Sequence, residues 1–289
     1  MFARILVPID GTANSAAAVR IARRLAERTD SSLLLLRVDS WLLGKPRIAD
    51  GDAELEQQVD ELRQAGLNAH YLIQYGRPED GIATTARYQQ SDLIIMAPHR
   101  RDGWEALGHH SVTIGMLSRS PAPLLVLPED LSVERATELL TASESRVLVP
   151  LDGSTLAERA LPSATAWATQ YEVPLLLVRV VQPVMAAGVE EREARVYLDA
   201  VRHRVAEQTT TSIETALVTG NPADEIICAA EGRSVGMIVM STHGRGGILR
   251  TLSGSVAASV LRRTPVPLLI VPPGAQRQHM PARELSHAR

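Results

Sequence analysis

The sequence predicts an α/β fold of two tandem, doubly wound domains, each built on a five-stranded parallel sheet. Three observations carry this expectation. The segment RILVPIDGT at residues 4–12 returns as RVLVPLDGS at residues 146–154, an offset of 142, and GRPEDGI, DLIIMAPH and RSPAPLLVLP return as GNPADEI, GMIVMSTH and RTPVPLLIVP at an offset of 144. A chain written twice in one order is a chain of two like units. Each copy alternates short apolar runs with helical patterns, the order that yields a parallel sheet flanked by helices. The runs are apolar almost continuously, as expected of strands covered on both faces.

Taken in order, the first copy offers strands at ARILVPI, SLLLLRV, AHYLIQ, DLIIMA and PLLVL. Between them stand helical patterns at NSAAAVRIARRLAER, at DAELEQQVDELRQAG with a stop at Gly66, at PEDGIATTARYQQ, and at SVTIGMLSRS before Pro121. The second copy repeats the strands as RVLVPL, PLLLVRVV, IETALV, MIVMS and PLLIV, and REARVYLDAVRHRVAEQ repeats the second helix. Crossovers between parallel strands are expected to be right-handed. The expected division is a first domain at residues 1–129, a short helical linker at 130–144, a second domain at 145–273 and a polar tail at 274–289. The runs PLLVLP and PLLIVP, bracketed by prolines that cannot donate to a ladder, read as edge strands that must be covered or paired.

Composition narrows the function classes. With 289 residues, 45% of them apolar, each half can bury a sizeable core. A net charge of -3, spread without long blocks of one sign, leaves no electrostatic footprint for nucleic acid or anionic lipid. The start MFARILVPID reaches Pro8 and Asp10 without a leader's apolar stretch, and no window approaches a membrane span, so the expected location is the cytoplasm. Cys228, the one cysteine, excludes an intrachain disulfide and reads as a small apolar residue buried in a helix.

Sheets of this kind bind ligands beyond the carboxyl ends of their strands, where the strand order reverses. In the second copy Asp152 falls at such an end, where its carboxylate can accept from a ligand hydroxyl or amine; Asp-Gly-Ser is equally a good turn into a helix, and the residues alone leave both readings open. The fourth strand of that copy runs into THGRGGILRTLSGS and then a helix. Gly244, Gly246 and Gly247 permit close approach to the main chain, and Gly254 and Ser255 place N–H groups and a hydroxyl at a helix start, which is an anion site.

Ser241, Gly244, nine intervening residues and Gly254-Ser255 resemble the Gly-x2-Gly-x9-Gly-Ser/Thr motif of the universal stress protein family, with Ser241 in place of the first glycine. VLVPLDGS, VTGNPADEI and TPVPLLIVP are similar to that family too, so the resemblance covers both copies. It implies a tandem member that binds ATP, with Mg at the phosphates, in the second domain. By position it implies adenine near Pro150, Leu151, Asp152 and the main chain of Val180, with Met240 and Ser241 at adenine and ribose. Gly244, Arg245, Gly254, Ser255 and Val256 would hold the phosphates. It also implies that the edge strands of the two copies pair within one chain as a pseudo-dimer, leaving a further homodimer open.

The first copy departs from the motif. Arg100, Asp102 and His110 stand where Gly244, Gly246 and Gly254 stand, and only Gly103 and Ser111 survive. Side chains at glycine positions cost about 1 kcal/mol or more and fill the phosphate space, so a weak or empty nucleotide site is expected there. Arg100 and Arg101 offer an alternative anion site, whereas His99, His109 and His110 follow no standard metal pattern. The chain has no Gly-x4-Gly-Lys-Ser/Thr loop, Gly-x-Ser-x-Gly elbow or His-x-x-Glu-His set, and no catalytic residue is assigned. His243 is the one side chain near the expected phosphates able to act as acid or base, but with no partner at a readable spacing the favoured reading is a loop histidine ordering its own turn. The expected activity is ATP binding as a regulatory state; the alternatives are an ATP-independent adaptor and a slow ATPase.

Overall fold

The structure is a computed structural model and describes residues 2–39, 51–98, 112–182, 187–241 and 256–272. The first half contains β1 (Arg4–Ile9), α1 (Ala13–Thr29), β2 (Ser32–Asp39), α2 (Gly51–Gln64), β3 (Ala69–Tyr75), α3 (Pro78–Tyr88), β4 (Leu93–Met96), α4 (Val112–Arg119) and β5 (Leu124–Val126). After a connecting helix α5 (Val133–Thr141), the second half contains β6 (Arg146–Pro150), a 3-10 turn (Ala157–Ala160), α6 (Leu161–Tyr171), β7 (Leu175–Val181) and α7 (Ala187–Ala206). It continues with β8 (Ile213–Thr219), α8 (Pro222–Gly232), β9 (Val235–Ser241), α9 (Val256–Arg263) and β10 (Leu268–Val271). Every strand expected from the apolar runs is present, and α5 falls in the expected linker.

The ten strands form one sheet in the order β3-β2-β1-β4-β5-β10-β9-β6-β7-β8. Within each half all pairings are parallel, and the halves join through the antiparallel pair β5 and β10, with Leu268 opposite Val126 and Ile270 opposite Leu124. The proline-bracketed strands therefore pair with each other inside the chain. Their ladder is short because the flanking prolines have no N–H to extend it. The outer edges are β3 and β8, where only Ala69 and Ala216 are buried.

Alternate residues of the strands feed two cores. Ile5, Val7, Leu33, Leu35, Val147, Val149 and Met237 pack on the side of α1, α2, α5, α6 and α7. Leu6, Leu36, Leu148, Leu176, Ile238 and Met240 pack on the side of α3, α4, α8 and α9. Strands buried on both faces need no polar alternation, which is why the apolar runs are continuous. Each fully buried Leu or Ile contributes on the order of 2 kcal/mol.

The connecting helix is wedged between the halves. Ser132 caps it by accepting from the Arg135 N–H, and Ala136, Leu139 and Leu140 are buried. The Trp167 indole N–H of α6 donates to the Leu140 carbonyl at 3.1 Å. Trp167 also meets Phe2 at a tilt of 55°, with 6.0 Å between ring centroids, and Tyr171 lies under the Arg28 guanidinium at 5.4 Å. The two halves are thus joined through side chains as well as through the sheet.

One sequence expectation is corrected. Cys228 is exposed, not buried. Helix α8 lays Ala223, Ile226, Ile227 and Ala230 against the sheet, the spacing of a single helical face. At 3.6 residues per turn, position 228 points away from that face.

Candidate functional site

In the second half the strand order reverses between β9 and β6, and the helices that follow them, α9 and α6, lie on opposite faces of the sheet, the arrangement at which sheets of this kind take ligands. The ladders set what borders this reversal. Leu148 lies opposite Ile238, Pro150 lies opposite Val178, and the Leu151 N–H continues the ladder to the Val178 carbonyl at 2.8 Å. Pro150, Leu151 and Asp152 therefore emerge between Met240 and Ser241 on one side and Val180 on the other. Leu151, Met240 and Ser241 are buried, while Pro150, Asp152 and Val180 are half-buried at the rim.

Strand β9 ends at Ser241 and helix α9 begins at Val256, which is exposed, so both ends of the glycine-bearing stretch are fixed. Gly244, Arg245, Gly254 and Ser255 lie outside the described residues, as do His243, Gly246 and Gly247. So do His99, Arg100, Arg101, Asp102, Gly103, His109, His110 and Ser111 of the first half.

The Asp152 turn has a definite geometry. Its Oδ1 accepts from the Ser154 N–H at 2.9 Å and from the Ser154 hydroxyl at 2.5 Å. Gly153 takes a left-handed φ of 81°, which a side chain would strain. The first half repeats the turn, with Asp10 Oδ1 accepting from the Thr12 N–H at 3.2 Å and its hydroxyl at 2.6 Å, and with Gly11 at φ 78°. Both aspartates thus shape their turns. The exits from the two turns differ: Thr12 caps α1 directly, whereas Ser154 Oγ accepts from the Ala157 N–H at 3.1 Å and a 3-10 turn delays α6.

The sequence profile described as the universal stress protein family matches residues 1–128 and again residues 144–272. The chain belongs to the universal stress protein family. A universal stress protein of Mycolicibacterium smegmatis is 26% identical over 298 residues, spanning 93% of this chain and 97% of that one. Universal stress protein MJ0531 of Methanocaldococcus jannaschii is 30% identical over 138 residues, 44% of this chain and 81% of its own length. The crystal structure of a universal stress protein from Archaeoglobus fulgidus covers 92% of this chain and 97% of that one with a TM-score of 0.71; at 21% identity the likeness is one of fold.

This universal stress protein also carries groups beside the strand-order reversal that sequence reasoning missed. Arg179 of β7 is 8% exposed, and its Nη1 donates to the Leu151 carbonyl at 3.4 Å. Its guanidinium stands over the Tyr197 ring of α7, 5.9 Å from the centroid. The Tyr197 hydroxyl donates to Glu158 Oε1 at 2.9 Å, and Arg204 Nη2 donates to Glu158 Oε2 at 2.5 Å. Burial, and then the adjoining Glu158 carboxylate, push the Tyr197 phenol well above its ordinary range, so it stays a donor. The available signal was a lone charge inside an apolar run, Arg179 in PLLLVRVV. Among the described residues no group of three or more His, Cys, Asp or Glu gathers to hold a metal ion, and no helix is long and apolar enough to cross a membrane.

Proposed function

We propose that this universal stress protein binds ATP at the carboxyl edge of its second half, and that occupancy acts as a regulatory state in the cytoplasm rather than as fuel for rapid turnover. One observation carries the reading: Ser241 ends β9 beside the Asp152 turn at the strand-order reversal, and α9 resumes at Val256 after the glycine-bearing stretch. Adenine would lie against Pro150, Leu151, Met240 and the main chain of Val180. Asp152 and the Ser241 hydroxyl would accept from the base amine or the ribose. Gly244, Arg245, Gly254, Ser255 and Val256 would hold the phosphates through main-chain N–H groups at a helix start. Mg would arrive with the triphosphate, whose oxygens are its usual ligands.

Isothermal titration of the full chain with ATP and Mg tests this. Binding in the micromolar range, abolished by Gly254→Arg, is expected, since a side chain there would occupy the phosphate space. Absence of binding, or binding unchanged in Gly254→Arg, would refute the proposal.

A further inference from the structure

We infer that Arg179 is a positioning residue of the second-half site, holding the Asp152 turn in place with the help of Tyr197, Glu158 and Arg204; the inference rests on the ATP reading above. A buried guanidinium is costly unless its N–H groups and charge are matched. Arg179 reaches the carbonyl of Leu151, the residue immediately before Asp152, and the Tyr197 ring covers its cation. Further along the same connection, Glu158 is gripped by the Tyr197 hydroxyl and by Arg204, both on α7. The backbone that presents Asp152 is therefore pinned on both sides, at Leu151 from β7 and at Glu158 from α7.

The first half has the same arginine in the same ladder position, Arg37 opposite Ile9, but ties it differently. Asp39 takes Arg37 Nε as an ion pair at 3.3 Å, whereas the second half has Val181 at that position. Ala16 stands where Glu158 stands, so the grip of α7 on that connection has no counterpart carboxylate. A cavity of about 70 Å3 lined by Ala16 and Arg37 and by Glu54 and Gln58 of α2 occupies that side of the Asp10 turn, so the carboxylate there comes from the helix and not from the connection. Two separate differences therefore fall in the same half: the glycines of the stretch after β9, and the pinning of the turn after β6.

A double-mutant cycle in the full chain, read by isothermal titration with ATP and Mg, tests the role. Asp152→Asn keeps the oxygen that closes the turn and removes the charge. Arg179→Met and Asp152→Asn should each weaken binding by about tenfold, the scale of a hydrogen bond to a charged group. If Arg179 acts through Asp152, the double variant should lose about as much as either single variant, because residues acting as one unit are not additive. Arg179→Lys keeps a cation able to donate to the Leu151 carbonyl and should recover most of the affinity. Should Arg179→Met fail to fold, Glu158→Ala, the first half's residue, should weaken binding and show the same non-additivity with Asp152→Asn. Independent losses that multiply to about a hundredfold, or Arg179→Met binding like the wild type, would overturn the inference. If the wild type binds, Gly254→Arg abolishes binding and Arg179→Met has no effect, this inference alone fails. A wild type that does not bind ATP removes the ATP reading, and this inference with it.

Discussion

Gly236→Ala probes how the connecting helix and strand β9 share one space. A Cβ at Gly236 would lie 1.9 Å from the Leu139 carbonyl oxygen, 2.9 Å from the Leu139 carbonyl carbon and 2.6 Å from Ser145 Cβ. Leu139 belongs to α5 and Ser145 immediately precedes β6, so the clash is mainly with backbone and no rotamer change relieves it. Helix α5 would have to retreat by more than about 1 Å, at the upper end of the 1–3 kcal/mol typical of overpacking. Against this, alanine in a strand is better than glycine by roughly 0.5–1 kcal/mol, which leaves a net loss of about 2 kcal/mol. At about 2.1 cal/mol/K of unfolding entropy per residue, a chain of 289 residues would show this as a fall in Tm of about 3 °C. Thermal melts followed by circular dichroism and by tryptophan fluorescence would measure it. Gly232→Ala is the internal control, because a Cβ there meets nothing within 4 Å. A Tm for Gly236→Ala equal to or above that of the wild type would refute the close approach of α5 to β9.

Three further outcomes rest on single residues. Trp167→Phe removes the indole donor to the Leu140 carbonyl and part of the aromatic contact between halves, and should cost about 2 kcal/mol in urea denaturation. Burial raises the Tyr171 phenol from 10.0 to about 12, with the Arg28 guanidinium opposing the shift. Its contribution should therefore be fully present below pH 10 and be lost as pH rises toward about 12, amounting to roughly 2–3 kcal/mol. Lys45 is the sole lysine and arginine stays charged there, so urea midpoints at about pH 9 and about pH 11.5 should differ less in Tyr171→Phe than in the wild type. Cys228 should react with a disulfide reagent in the native state as completely as after denaturation, and protection in the native state would contradict its exposed placement.

Much of this protein was legible in its sequence because the signals are local. Continuous apolar runs marked ten strands, and the prolines around Leu124–Val126 and Leu268–Val271 marked the two that pair across the halves. Asp-Gly-Thr and Asp-Gly-Ser marked two turns whose glycines take the left-handed geometry that side chains resist. The repeat itself, with the glycine pattern after the fourth strand in one copy and not in the other, set where a site should be sought.

Other features depended on the tertiary structure. Cys228 looked like a core residue in ADEIICAAEG because composition does not say which way a short helix is rotated; only its docking on the sheet turned position 228 outward. The linker read as a short helix, but nothing in its sequence said that α5 wedges against β9 at Gly236 and holds Trp167. Arg179, Glu158, Tyr197 and Arg204 come from β7, a 3-10 turn and α7, and nothing in the spacing of the four announces that they meet. Periodicity records what each residue faces within its own element. Which buried charge finds which partner is decided only when distant elements pack, because desolvation and hydrogen-bond geometry act between neighbours in space.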